Sequence, residues 1–325
     1  MQLYNAITIA LSERQFEDGC IRLHDGPDPQ SDPVIAGQIA TPTQHSVDFF
    51  KIAYAPLLDD VCTAGKSVKV LEIGAGIGNC TYAFIRTYRP DLYVASEPFP
   101  ALLPTLRKCL DELGYQFPKG TAAIWDANCR PILPQQAFTV VVGNSVLHHI
   151  TRWREALDYS LSLLEDDGAL VFGEPNHETW AVIVSFVRAF NLSDAISVET
   201  KRRLDAYVNG LEYRFRIKDN LQALSSLEDK HIFSFRELMD FAQSRCVFLS
   251  ISSQTLDFQT SFVRQVMPLM ATPADREKLL SFAKSVVSPG LNGTLLSDFF
   301  VFSMRRTKAS LAAVSETDRG MDPLA

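Results

Sequence analysis

Short, almost wholly apolar runs alternate along this chain with longer segments in which apolar residues recur every three to four positions. Residues 68–73 (VKVLEI), 92–96, 122–125, 138–142 and 169–173 have the unbroken character of strands buried on both faces. Between them, 80–88, 102–113 and 153–164 carry helical spacing, and Pro90-Asp91, Gly114 and Asp167-Gly168 end those helices. Five strand-helix units in succession predict a parallel sheet with helices on its faces. Ahead of them, 43–61 places Val47, Phe49, Phe50, Ile52, Ala53, Leu57 and Leu58 on one face of an amphipathic helix. Behind them, helical patterns at 180–190, at 195–211 and after Thr272-Pro273 surround a return to strand character at 247–253 and 298–305, with a further helix at 234–245. The first 42 residues read as one helix followed by a stretch rich in Gly, Pro and Asp, and the chain from Lys308 onward has little periodicity and reads as a mobile tail.

The first strand empties into Gly74, Gly76 and Gly78, three alternating glycines ahead of a helix that starts near Asn79. Glycine lets a backbone turn sharply and approach a ligand, so the turn is a cofactor cradle or a tightly packed bend. Glu72 places a carboxylate in the mouth of that turn. It would repel a pyrophosphate and suits the ammonium of an amino-acid moiety, which favours S-adenosylmethionine (SAM) over a dinucleotide. No Gly-Lys-Ser/Thr closes the loop, and the G-x-G-x-x-G spacing of a dehydrogenase is missing. Glu97 follows about 20 residues beyond the last glycine, at the end of the next strand, where an adenosine ribose presents its hydroxyls.

This pattern resembles the class I SAM-dependent methyltransferases, whose first motif is an acidic residue followed by x-G-x-G-x-G, matched here by Glu72, Gly74, Gly76 and Gly78. The runs VLHH and LLEDDGALVFGEPN follow in the family's order, in the manner of the small-molecule enzymes that include those of ubiquinone and menaquinone biosynthesis. The resemblance covers about 45–175 and implies an α/β fold. That fold is a doubly wound, mostly parallel seven-stranded Rossmann-like sheet with an antiparallel last strand and helical cap insertions. It further implies cofactor binding by Glu72, the three glycines, Glu97 with Pro98 beside the adenine, Asp126 and the backbone of Ala127 on the adenine edge, and Asn144. Asn144 stands where the family often has aspartate, which argues against a catechol-type divalent metal site.

Against that template the chain divides into an arm (1–42), a SAM-binding core (43–176), a helical cap insertion (177–230), more core (231–258), a second helical insertion (259–297), the last core strand (298–306) and the tail (307–325). Insertions at the carboxyl ends of the strands overlie the ligand crevice, so they are expected to form the acceptor pocket, with Trp180, Phe186 and Tyr207 as lining; the alternative is a homodimer surface. Asn144, His148, His149 and Glu174 follow the fourth and fifth strands, next to the transferring methyl. A histidine there can accept a proton while Glu174 orients it. Carbon-methylating domains of polyketide assembly lines carry a similar Asn-x-x-Leu-His run and a glutamate after the next strand. The sequence does not choose between His148 and His149, and tandem histidines at a helix start can equally cap or pack.

Composition narrows the function. With 325 residues, 46% of them hydrophobic, the chain can bury one large core plus an appended lobe. A net charge of −7 argues against nucleic acid as the substrate, and neither the Asn/Asp-Pro-Pro-Tyr/Phe motif nor a Pro-Cys nucleophile of base methylation is present. The six cysteines lack paired or metal-ligand spacing and read as reduced thiols, with no metal site and a cytoplasmic setting. The N-terminus has no signal-peptide pattern, and no apolar run approaches the roughly 20 residues of a membrane span. The expectation is metal-independent methyl transfer from SAM to the oxygen, carbon or nitrogen of a small, hydrophobic intermediate of secondary-metabolite biosynthesis. The alternative is a SAM-binding partner or sensor without catalysis.

Overall fold

The computed structural model describes residues 20–24, 42–62, 65, 67–192, 196–217, 220, 222–223, 231, 233–252, 258–286 and 299–306. The expected first helix of the arm and the C-terminal tail lie outside these residues. The strands are β1 (Ile21–Arg22), β2 (Lys69–Ile73), β3 (Leu92–Ser96), β4 (Gly120–Ile124), β5 (Phe138–Asn144), β6 (Leu164–Pro175), β7 (Val247–Ser252) and β8 (Phe299–Arg306). They form one sheet in the order β1-β4-β3-β2-β5-β6-β8-β7. All pairings are parallel except those of β8, which runs antiparallel between β6 and β7.

The seven expected strands are present, and the arm adds an eighth. β1 pairs in parallel with β4 at the sheet edge, through Ile21 opposite Ala123 and Arg22 opposite Ile124. Two residues are too few to leave a period-two signature, so the sequence reads only as a loop there. β6 starts earlier than expected. Asp167 still turns the chain, with φ +64, but the turn is absorbed as an irregularity in the β5–β6 register and not as a strand boundary.

Among the described residues the helices are α1 (Gln44–Ala53), α2 (Ala55–Cys62), α3 (Asn79–Tyr88), α4 (Leu103–Glu112), α5 (Trp153–Leu163), α6 (His177–Asn191), α7 (Val198–Ile217), α8 (Phe235–Ser244), α9 (Phe258–Val266) and α10 (Pro273–Val286). The single helix expected at 43–61 breaks at Tyr54 into α1 and α2. Pro56 explains the break, because it has no N–H to donate and its ring clashes with the carbonyl of Ile52. α8 begins as its sequence requires: Ser234 accepts the Glu237 N–H at 3.2 Å and Glu237 accepts the Ser234 N–H at 3.2 Å.

Alternation along the buried strands splits the core into two layers. Leu71, Ile73, Val94, Val141, Leu170, Phe172 and Phe302 face α5 and α8, whereas Val70, Tyr93, Ala95, Val140, Val142 and Val171 face α1 to α4. A third apolar cluster lies apart from the sheet. It joins Ile183, Val187 and Phe190 of α6 and Leu204, Val208 and Leu211 of α7 to Phe258, Phe262 and Val266 of α9 and Leu279 and Ala283 of α10. The two insertions are therefore one helical lobe with a shared core. Asp275, at the start of α10, ties them: its carboxylate accepts from Ser197 N–H at 3.1 Å, Ser197 Oγ at 2.6 Å and Thr200 Oγ1 at 2.8 Å at the start of α7.

Candidate active site

Strand order reverses between β2 and β5, and a crevice opens there at the carboxyl ends of the strands. The glycine turn enters it from β2. Gly74 (φ +65) and Gly76 (φ +56) are left-handed, a region in which side-chain-bearing residues are strained. A Cβ on Gly74 would collide with Val146, whereas one on Gly76 would project into space with no atom within 4 Å. The Gly76 position is thus a cradle that a side chain would fill, and the turn presents backbone rather than Lys or Arg. Such a turn presents backbone, and at Gly76 open space, to a ligand.

Two of the expected carboxylates hold this turn. Glu97 is buried, and it accepts the Gly76 N–H at 2.8 Å and the Phe99 N–H at 3.2 Å. Burial raises its pKa above the usual carboxylate value, and the two N–H bonds oppose that rise. Pro98 beside it is half-buried. Glu72 is 1% exposed and sits behind the turn, not in its mouth. Its Oε2 accepts from Thr81 Oγ1, in the first turn of α3, and from Tyr93 OH at 2.8 Å. Burial pushes its pKa up to about 7 despite these donors. The sequence missed this placement because Thr81 and Tyr93 become neighbours only when β2, β3 and α3 pack together.

At the end of β4, Asp126 Oδ1 accepts both the backbone N–H and the side-chain amide of Asn128, at 2.9 Å each, and Ala127 is buried behind it. Asn144 ends β5 half-buried. Tyr54 of the α1–α2 break donates to its Oδ1 at 2.7 Å and lies 3.2 Å from Gly143 O. Tyr54 is 1% exposed, and burial holds its phenol protonated, well above its ordinary pKa. Nothing in the local sequence distinguishes this tyrosine from a packing residue.

The histidine pair is resolved in favour of His148 as the partner of Glu174. A 3-10 turn, Leu147–His149, buries His148 and exposes His149. His148 Nδ1 lies 2.6 Å from Glu174 Oε2, and Glu174 is 0% exposed. The same carboxylate accepts the N–H groups of Val146 at 3.1 Å, Leu147 at 2.8 Å and His148 at 3.3 Å. These donors satisfy the lone pairs of the buried carboxyl group. His231, where the chain returns from the lobe, donates its N–H to His148 O at 3.0 Å, and its Nε2 sits 3.2 Å from Thr151 O. Its burial lowers its pKa. Sequence reading did not single it out, since its neighbour in the chain is a helical insertion.

The three lobe residues expected to line the pocket are half-buried. Trp180, Phe186 and Tyr207 pack against the lobe's own apolar cluster, and Phe186 meets Phe258 and Phe262 at ring distances of 5.4 and 6.2 Å. Among the described residues no group of His, Cys, Asp and Glu is arranged to hold a metal ion. No helix among them is long and apolar enough to cross a membrane.

A doubly wound sheet whose switch point carries a left-handed glycine turn, flanked by buried carboxylates on successive strand ends, is that of a cofactor-binding α/β protein. A family model described as a methyltransferase domain matches residues 49–238, more than half of the chain. The chain belongs to this methyltransferase-domain family and is a SAM-dependent methyltransferase. A comparison with curated proteins gives no match. Among solved structures, the chain is similar to the YcgJ protein from Bacillus subtilis, with 16% identity, coverage of 82% of this chain and 100% of that one, and a TM-score of 0.43. It is also similar to a SAM-dependent methyltransferase from Thermotoga maritima, with 16% identity, coverage of 81% and 94%, and a TM-score of 0.42. A third likeness is to the methyltransferase CalH in complex with SAH, with 21% identity over 37% of this chain and 36% of that one, and a TM-score of 0.34.

Proposed function

We propose that this methyltransferase acts on a small, apolar biosynthetic intermediate, without a metal, and that His148 takes the proton the acceptor loses. The observation that carries the reading is the 2.6 Å contact of His148 Nδ1 with the fully buried Glu174. SAM supplies a methyl group already activated on a positively charged sulfur, so the protein's work is alignment and proton removal. Gly74 and Gly76 with Glu97 would hold its amino-acid and ribose parts, and Asp126 with the Ala127 backbone its adenine. With Glu174 as acceptor, the neutral imidazole keeps its proton on Nδ1, which makes Nε2 the basic nitrogen. Once Nε2 has taken a proton, the carboxylate stabilises the imidazolium. Asn144, neutral where a metal ligand would be charged, supports metal-independent chemistry.

The test is single-turnover methyl transfer from saturating SAM to a panel of apolar phenols, amines and 1,3-dicarbonyl compounds. His148→Gln and Glu174→Gln should each lose about 10²-fold or more in rate. His149→Gln should stay within about threefold. If all three variants kept the parent rate, alignment alone would be the mechanism.

A further inference from the structure

A cavity of about 340 Å³ opens between α1, the first turn of α3 and the end of β5, lined by Thr43, Ser46, Phe49, Tyr54, Asn79 and Asn144 among others. None of Gly74, Gly76, Gly78, Glu97 or Asp126 lines it, so it adjoins the cofactor crevice and shares only Asn144 with the expected cofactor residues. No aspartate, glutamate, lysine or arginine lines it. Its polar groups have a defined polarity. Asn144 Oδ1 is turned to the Tyr54 hydroxyl at 2.7 Å, and Asn79 Oδ1 to the Ser46 hydroxyl at 3.4 Å. Tyr54 and Ser46 line the cavity themselves, and an amide whose oxygen accepts their hydroxyl protons keeps its NH₂ protons to donate. Both asparagines thus have donors for a ligand in this cavity, whose lining also includes Phe49, Phe50 and His45, and Asn79 opens a ten-residue helix whose N-terminus also favours negative charge.

We propose that this cavity seats a carboxylate of the methyl acceptor, with the Asn79 and Asn144 amides as its donors and with Tyr54 and Ser46 as the positioning residues that turn those amides toward it. The proposal rests on the acceptor being a small apolar molecule, as argued above, and specifies its polar end. Charge-assisted hydrogen bonds from two fixed amides discriminate a carboxylate from its neutral isostere, while the aromatic lining takes the apolar body.

Octanoate and octanamide serve as probes, titrated by NMR into the wild-type complex with S-adenosylhomocysteine. Octanoate should bind at least tenfold more tightly than octanamide. Asn79→Asp, which places a carboxylate in the cavity yet suits the first turn of α3, should abolish that preference. Tyr54→Phe should reduce it severalfold by releasing the Asn144 amide. A merely structural role for Tyr54 would leave the octanoate-to-octanamide ratio unchanged. Equal binding of the two probes, or a preference retained in Asn79→Asp, overturns the proposal. Competitive displacement of octanoate by S-adenosylhomocysteine also overturns it, by assigning the amides to the cofactor's own carboxylate. Failure of the wild type to bind S-adenosylhomocysteine at all would be a separate result, against the cofactor reading itself.

Discussion

Glu72 should make the stability of this protein fall as pH rises from about 5 to 7. Its carboxyl titrates at about 7 in the folded chain, against an ordinary value of 4.5, because burial penalises the charged form more than Thr81 and Tyr93 favour it. A folded-state pKa above the unfolded one means that the native state binds the extra proton. The contribution is therefore fully present below pH 4.5 and is lost as pH rises through 7. A shift of this size corresponds to roughly 3 kcal/mol between the two limits, most of it lost between about pH 5 and 7. Glu72→Gln removes the titration and keeps an oxygen for Thr81 and Tyr93. Urea unfolding of wild type and Glu72→Gln from pH 5 to 8.5 should show a difference in stability that changes by roughly 3 kcal/mol in favour of the variant as pH rises. A difference independent of pH would refute the reasoning and leave Glu72 ionised throughout.

Three further outcomes test other parts of the structure. Gly76→Val should abolish SAM binding, measured by calorimetry, because a branched side chain would fill the empty cradle and the residue would have to hold φ +56. Asp275→Ala should destabilise the helical lobe by about 2 kcal/mol, since it removes three acceptor bonds and leaves donors unpaired at half-buried Ser197 and buried Thr200; hydrogen exchange of α7 and α10 should rise while that of β2–β5 stays protected. Deleting 177–230 alone should expose Phe258, Phe262 and Leu279 and cause aggregation, whereas the same cut combined with removal of 259–297 should preserve a soluble core, compared by size-exclusion chromatography.

What the sequence determined by itself was local. β3 falls on the predicted residues, α3 and α5 fall within one residue of the predicted bounds, and the glycine turn stands at the crevice as its spacing required. Those features depend on side-chain period, proline and glycine, which act within a few residues of the chain. The resemblance supplied the antiparallel insertion of β8, which no local pattern carries. Tertiary structure decided the rest, because the deciding contacts join residues far apart in sequence. Tyr54 reaches Asn144 across 90 positions, and Glu174 selects His148 over His149 across 26. Both histidines share a composition and a neighbourhood in the chain, and only the turn of the backbone buries one and exposes the other. The two insertions likewise look independent until Asp275 of one binds Ser197 and Thr200 of the other. Neither can bury its apolar face alone, so a single shared core is the arrangement that removes both faces from water.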